Sequence, residues 1–137
     1  MEYEISAAFT LTGFDFNPEE ITAKVGIIPT KIWKVGDLIH PKAGIRRKRN
    51  GWSLESKLEK SAELEDHIKS VLEQIQPGWL PMVEISSRYE AEIDCVVYVR
   101  GQVPAIHFDK DIVEQAAKLN AEIDVDLYVL PVDPPAL

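Results

Sequence analysis

From Tyr3 to Thr12 apolar and polar residues alternate, with Ile5, Ala7, Phe9 and Leu11 set against Glu4, Ser6, Thr10 and Thr12. A period of two predicts a half-buried strand. Gly13 breaks the pattern, and Asn17-Pro18-Glu19-Glu20 opens a helix. Asn17 can cap free N–H groups, Pro18 suits the first helical position, and Glu20 stands where a capping box places an acid. Ile21 and Val25 give the buried stripe, and Gly26 the left-handed stop. Lys31 to Gly36 reads as a strand, and Trp52, Leu54 and Glu55 begin another. Between them, His40 to Gly51 holds the turn formers Pro41, Gly44, Asn50 and Gly51, which predicts a hairpin with a long, mobile tip.

Ser61 is the expected cap of a longer helix whose Leu64, Ile68, Val71 or Leu72, and Ile75 share a face, ended by Pro77-Gly78. Met82 to Ser86 reads as a short strand, and Glu92 to Arg100 as a longer one with Ile93, Cys95, Val97 and Val99 inward. Asp109 caps a third helix carrying Ile112, Ala116 and Leu119, which Asn120 can close. Glu122 to Leu130 alternates again, with Ile123, Val125, Leu127 and Val129 inward. Pro131, Pro134 and Pro135 oppose further pairing and predict a frayed tail over 131–137.

The string β-α-β-β-α-β-β-α-β predicts one α+β domain over 1–130, a mostly antiparallel mixed sheet with helices on one face. Its last six elements match a ferredoxin-like βαββαβ order, preceded by a β-α-β segment. Residues 3–35 and 91–129 echo one another as strand, aromatic-containing loop, capped helix and strand, which suggests a weak internal duplication. Both place an acid directly before the helical isoleucine, in Glu20-Ile21 and Asp111-Ile112.

Composition narrows the function. The 137 residues are 45% hydrophobic and 28% charged, the profile of a globular protein that folds without staples. One cysteine excludes an internal disulfide framework and any multi-cysteine metal site. The N-terminus lacks the basic start and apolar stretch of a signal peptide, and no apolar run reaches the ~18 residues of a membrane helix. The expected compartment is therefore the cytoplasm, with no membrane partner. There is no GxGxxG, no Walker-type loop and no GxSxG, and Gly51-Trp52-Ser53-Leu54 lacks the second glycine of a nucleophile elbow. His40, His67 and His107 are far apart in sequence and outside HExxH spacing. Cys95 reads as a small inward apolar residue with a raised pKa. No catalytic, metal-binding or cofactor-binding residue is assigned, no cofactor is expected, and the balance falls against an enzyme.

Two charge features remain. Glu92 and Asp94 share a strand face, as do Glu122, Asp124 and Asp126; if the strands are neighbours, five carboxylates converge. Such a cluster could hold calcium or magnesium, with His107 near, or do acid–base work. A solvated outer face is the stronger reading. Against this, Lys31 to Arg49 carries seven cations and the single Asp37, +6 in a chain of net charge -8, which leaves -14 for the rest. Trp33 and Trp52 flank it. Arg46, Arg47, Lys48 and Arg49 with those tryptophans form the candidate interaction site, suited to an acidic protein surface, to phosphate or to single-stranded RNA. The acidic surroundings disfavour nucleic acid.

Gly13-Phe14-Asp15-Phe16-Asn17-Pro18-Glu19-Glu20-Ile21-Thr22, then Val25-Gly26-Ile27, Pro29-Thr30, Lys34-Val35-Gly36-Asp37, Gly51-Trp52 and Ile123-Asp124-Val125-Asp126-Leu127-Tyr128 carry a resemblance. Together they resemble a bacterial family catalogued as domain of unknown function 4279, over nearly the whole chain. The resemblance implies a small, free-standing α+β domain and transfers no active residue. The expected function is a non-enzymatic protein-binding module, of which an immunity-like protein is one version by analogy. The alternatives are a divalent-metal enzyme or metal-binding protein using the acidic faces, and phosphate or RNA binding by the basic loop. Self-association of basic loop with acidic strands is a further expectation, and a small-molecule ligand is left open.

Overall fold

The structure, a computed structural model, describes residues 2–132. Strand β1 (Tyr3–Thr12) is followed by α1 (Glu19–Val25), β2 (Lys31–Trp33), β3 (Leu38–His40), β4 (Ile45–Arg46) and β5 (Gly51–Glu55). Then come α2 (Leu64–Ile75), a 3-10 turn (Gln76–Gly78), α3 (Trp79–Ser86), β6 (Glu90–Arg100), α4 (Lys110–Lys118) and β7 (Ala121–Leu130). The five-stranded sheet has the order β2-β5-β1-β6-β7, antiparallel throughout except for the parallel pair β6–β7. β3 and β4 pair separately as a two-stranded ribbon. The α+β class and the mixed, mostly antiparallel sheet are as the pattern predicts.

The alternation decides what is buried. Ile5, Ala7, Phe9 and Leu11 of β1 and Ile93, Cys95 and Val97 of β6 point to the helical side. There they meet Leu64, Ile68, Val71, Leu72 and Ile75 of α2 and Ile112 and Ala116 of α4. The expected caps form: the Glu19 N–H donates to Asn17 Oδ1 at 3.1 Å, and the Ile112 N–H to Asp109 Oδ1 at 2.9 Å. Gly26 takes φ 71° and Asn120 φ 53°, both left-handed stops. Ser61 is not the cap of α2, which begins at Leu64 after Glu63.

Met82–Ser86 is helical, the C-terminal part of α3, so Pro77-Gly78 turns the chain into a second helix instead of a strand. The ferredoxin-like βαββαβ reading loses its third element here. Met82, Ile85 and Ser86 are buried while Leu80 is bare, a spacing of three and four that a five-residue window cannot tell from a buried strand. Pro81 is tolerated because it sits in the first turn, where an N–H has no helical partner.

The two echoing β-α-β units differ in space. β6 and β7 are direct parallel neighbours across α4, whereas β5 lies between β1 and β2. In β7, Ile123 and Val125 are half-buried as expected, but Leu127 and Val129 are exposed. Helix α4 has nine residues and spans about 13.5 Å, against about 33 Å for the ten-residue strand, so its cover runs out. Of the tail over 131–137, Pro131 and Val132 are exposed and the rest lies outside the described residues.

Candidate functional site

The sheet face opposite the helices is open, and pairing register sets its rows. Lys31 (β2), Ser53 (β5), Thr10 (β1), Glu92 (β6) and Glu122 (β7) form one row; Glu55, Ala8, Asp94 and Asp124 form the next. Small side chains along the middle leave a cleft of about 590 Å³ over Ser6, Ala8, Thr10 and Ser53. Lys31, Trp33 and Arg47 stand at one end and Asp94 at the other. The face is thus polarised, basic towards β2 and acidic towards β6–β7.

At the basic end the candidate residues separate. Trp52 points to the helical side and is buried in the core, its indole N–H donating to Thr22 Oγ1 at 3.0 Å. It is removed from any surface contact, because alternation in β5 turns it away from the open face while Ser53 turns towards it. Trp33 stays half-buried at the surface, seated over Gly51, where a β-carbon would meet the ring at 2.0 Å. The Arg47 guanidinium covers that ring, 4.3 Å from its centroid. Arg46 donates through Nη1 to the Gly36 carbonyl at 2.8 Å. Arg49 pairs with Glu90, which raises the guanidinium pKa and lowers that of the carboxyl. Lys34, Lys42 and Lys48 have no ion pair among the described residues.

The expected mobile tip is instead the β3–β4 ribbon, closed by the turn Pro41–Gly44. All five of its strand residues are exposed, among them Leu38 (46%), Ile39 (49%) and Ile45 (55%). These aliphatic residues were not singled out from the sequence. The signal was a short apolar pair before Pro41-Lys42-Ala43-Gly44 and an isoleucine after it, a hairpin inside a hairpin.

At the acidic end the neighbours that the sequence left conditional are real. β6 and β7 run in register, Glu92 beside Glu122 and Asp94 beside Asp124, and Glu92, Asp94 and Asp124 offer oxygens within 4.8 Å of one another. A hydrogen bond between Glu92 and Asp94, with partial burial and the surrounding carboxylates, pushes Glu92 up to about 8. Asp126, burial and Asp94 likewise raise Asp124. The Glu92–Asp94 pair therefore holds a proton near neutral pH, the arrangement by which crowded acids limit their own repulsion. Further along, Tyr98 and Tyr128 stack at 4.9 Å.

Of the three histidines only His67 lines the cleft. His107 lies 3.5 Å from Glu65 of α2. His67 is buried, its Nδ1 2.7 Å from Ser56 Oγ, and burial lowers its pKa. His40 is exposed in β3. Cys95 is buried in β6, its thiol pushed up to about 12 by desolvation and nearby carboxylates.

A helix-backed mixed sheet with one open, polarised face and a projecting basic ribbon defines a small α+β domain with two distinct surface features. Residues 2–130 match the model of the family described as Domain of unknown function (DUF4279), and the chain belongs to that family. No curated protein and no solved structure matches it.

Proposed function

We propose that the chain is a non-enzymatic protein-binding module whose contact surface is the β3–β4 ribbon, docking on an acidic protein surface with an apolar patch. The observation that carries this reading is the exposure of Leu38, Ile39 and Ile45 on a ribbon outside the core cluster. A two-stranded hairpin alone is marginal in water, and bare aliphatic area costs roughly 25 cal/mol per Å² relative to burial. A partner that covers those side chains recovers both terms. Lys42, Arg46 and Lys48 surround them and would steer an acidic surface, with the Trp33–Arg47 stack as anchor at the base. RNA binding fits less well, because the ribbon offers no bare Phe, Tyr or Trp side chain on which a base could stack and Trp33 is already covered by Arg47.

The test is photo-crosslinking from Ile39 in extract of the protein's own source. One protein should be captured, and Leu38→Ser with Ile45→Ser should abolish the adduct while leaving thermal unfolding unchanged. An adduct containing nucleic acid, no adduct, or capture that survives both substitutions would overturn the reading.

A further inference from the structure

A sheet edge presents unpaired N–H and C=O groups, and another strand is what satisfies them. β7 is such an edge, ten residues long with a neighbour on one side only. Its two halves differ. Glu122, Asp124 and Asp126 place a charge at every second position of the first half, a device that keeps edges apart. The second half, Leu127-Tyr128-Val129-Leu130, has no charge, and Leu127, Tyr128 and Val129 are 43%, 48% and 65% exposed. β6 ends at Arg100 beside Leu130, so the exposed Val103 that follows it lies at this same end of the sheet.

We propose that β7 is a homodimer edge: two copies pair antiparallel through Leu127–Leu130 about a two-fold axis at Tyr128, joining two five-stranded sheets into one. The charges select both the partner and the register. Two-fold antiparallel pairing is self-complementary, so the uncharged segment of one copy is centred on that of the other and the acids are set against apolar residues instead of each other. With the axis at Tyr128, Leu127 faces Val129 of the other copy on the helical side. Asp126 then faces Leu130, and Asp124 faces Val132. An axis at Val125 would set Asp124 directly against Asp126, where like charges are destabilising. The axis at Tyr128 also sets the Tyr98–Tyr128 stack beside its copy, an aromatic row across the interface. Pro131 lacks an N–H and limits the pairing to this segment.

This surface is separate from the ribbon, and its test leaves the ribbon reading untouched. Sedimentation equilibrium of the full chain should give twice the chain mass, and added salt should not dissociate it, since salt screens the acidic halves from one another. Leu127→Lys and Val129→Lys should each weaken the dimer by about tenfold or more, with circular dichroism unchanged. Under mild oxidation Tyr128→Cys, on the axis, should link to its copy and Asp124→Cys should not. A wild-type monomer, a dimer indifferent to both lysines, equal crosslinking at the two positions, or dissociation by Leu38→Ser with Ile45→Ser would overturn the proposal.

Discussion

At the β2 edge the sheet stops after three residues, and its last rung is covered. Trp33 of β2 lies on Gly51 of β5, and Arg47, from the segment before β5, lies on Trp33, making three layers. At the β7 edge ten residues run with no strand outside them, and over half that length only carboxylates stand guard. Packing closes an edge to every partner and ties it to one geometry. Charge closes an edge only to like charge, and only where the charges are, which leaves the second half of β7 open. The comparison also separates two tryptophans that sequence places symmetrically, one being a core residue and the other a cover.

The largest expected effect breaks that symmetry. Trp52→Ala should cost about 3–5 kcal/mol, as a buried aromatic removed from a core does, whereas Trp33→Ala should cost about 1 kcal/mol, its cation–π contact and partial burial. Urea unfolding measures both, and equal costs would show that the two share a role. Next is the seat beneath the cover. Gly51→Val should lose about 1–3 kcal/mol in thermal unfolding and expose Trp33, seen as a red shift in emission, because its β-carbon would need the space of the ring. The smallest effect has the opposite sign and belongs to the acidic edge. Folded Glu92 holds its proton up to about pH 8, while the unfolded chain releases it near 4.5. Between these values the folded state binds more protons, so this stabilisation is complete below about 4.5 and is lost as pH rises through about 8. Glu92→Gln should flatten that fall and exceed wild type above pH 8 by about 1 kcal/mol. Parallel melting curves across the range would show that Glu92 is an ordinary carboxyl.

What could be read in advance follows the range of the interactions. Caps at Asn17 and Asp109, the stop at Gly26 and the alternation of β1 and β6 are set within a few residues and were legible. α3 was not, because five apolar-rich residues satisfy either period, and the residue that decides, bare Leu80, lies outside the window. The acidic convergence depended on which strands are neighbours, a property of chain order in space. So did the exposure of Leu127 and Val129, which alternation assigned inward and the shortness of α4 left uncovered. The basic cluster was legible as charge, but its division into a stacked Arg47, a paired Arg49 and an unsupported ribbon was not.

Cys95 lies near the middle of β6, between β1 and β7, with its thiol held protonated at any physiological pH. Thiol reagents act on the thiolate and need access to it, so the folded molecule presents them with neither. Each alkylation must then wait for the centre of the sheet to come apart. The rate at which Cys95 disappears is therefore a clock for that opening, carried by the native chain and read in time, with no label to add and no second cysteine to confuse the count.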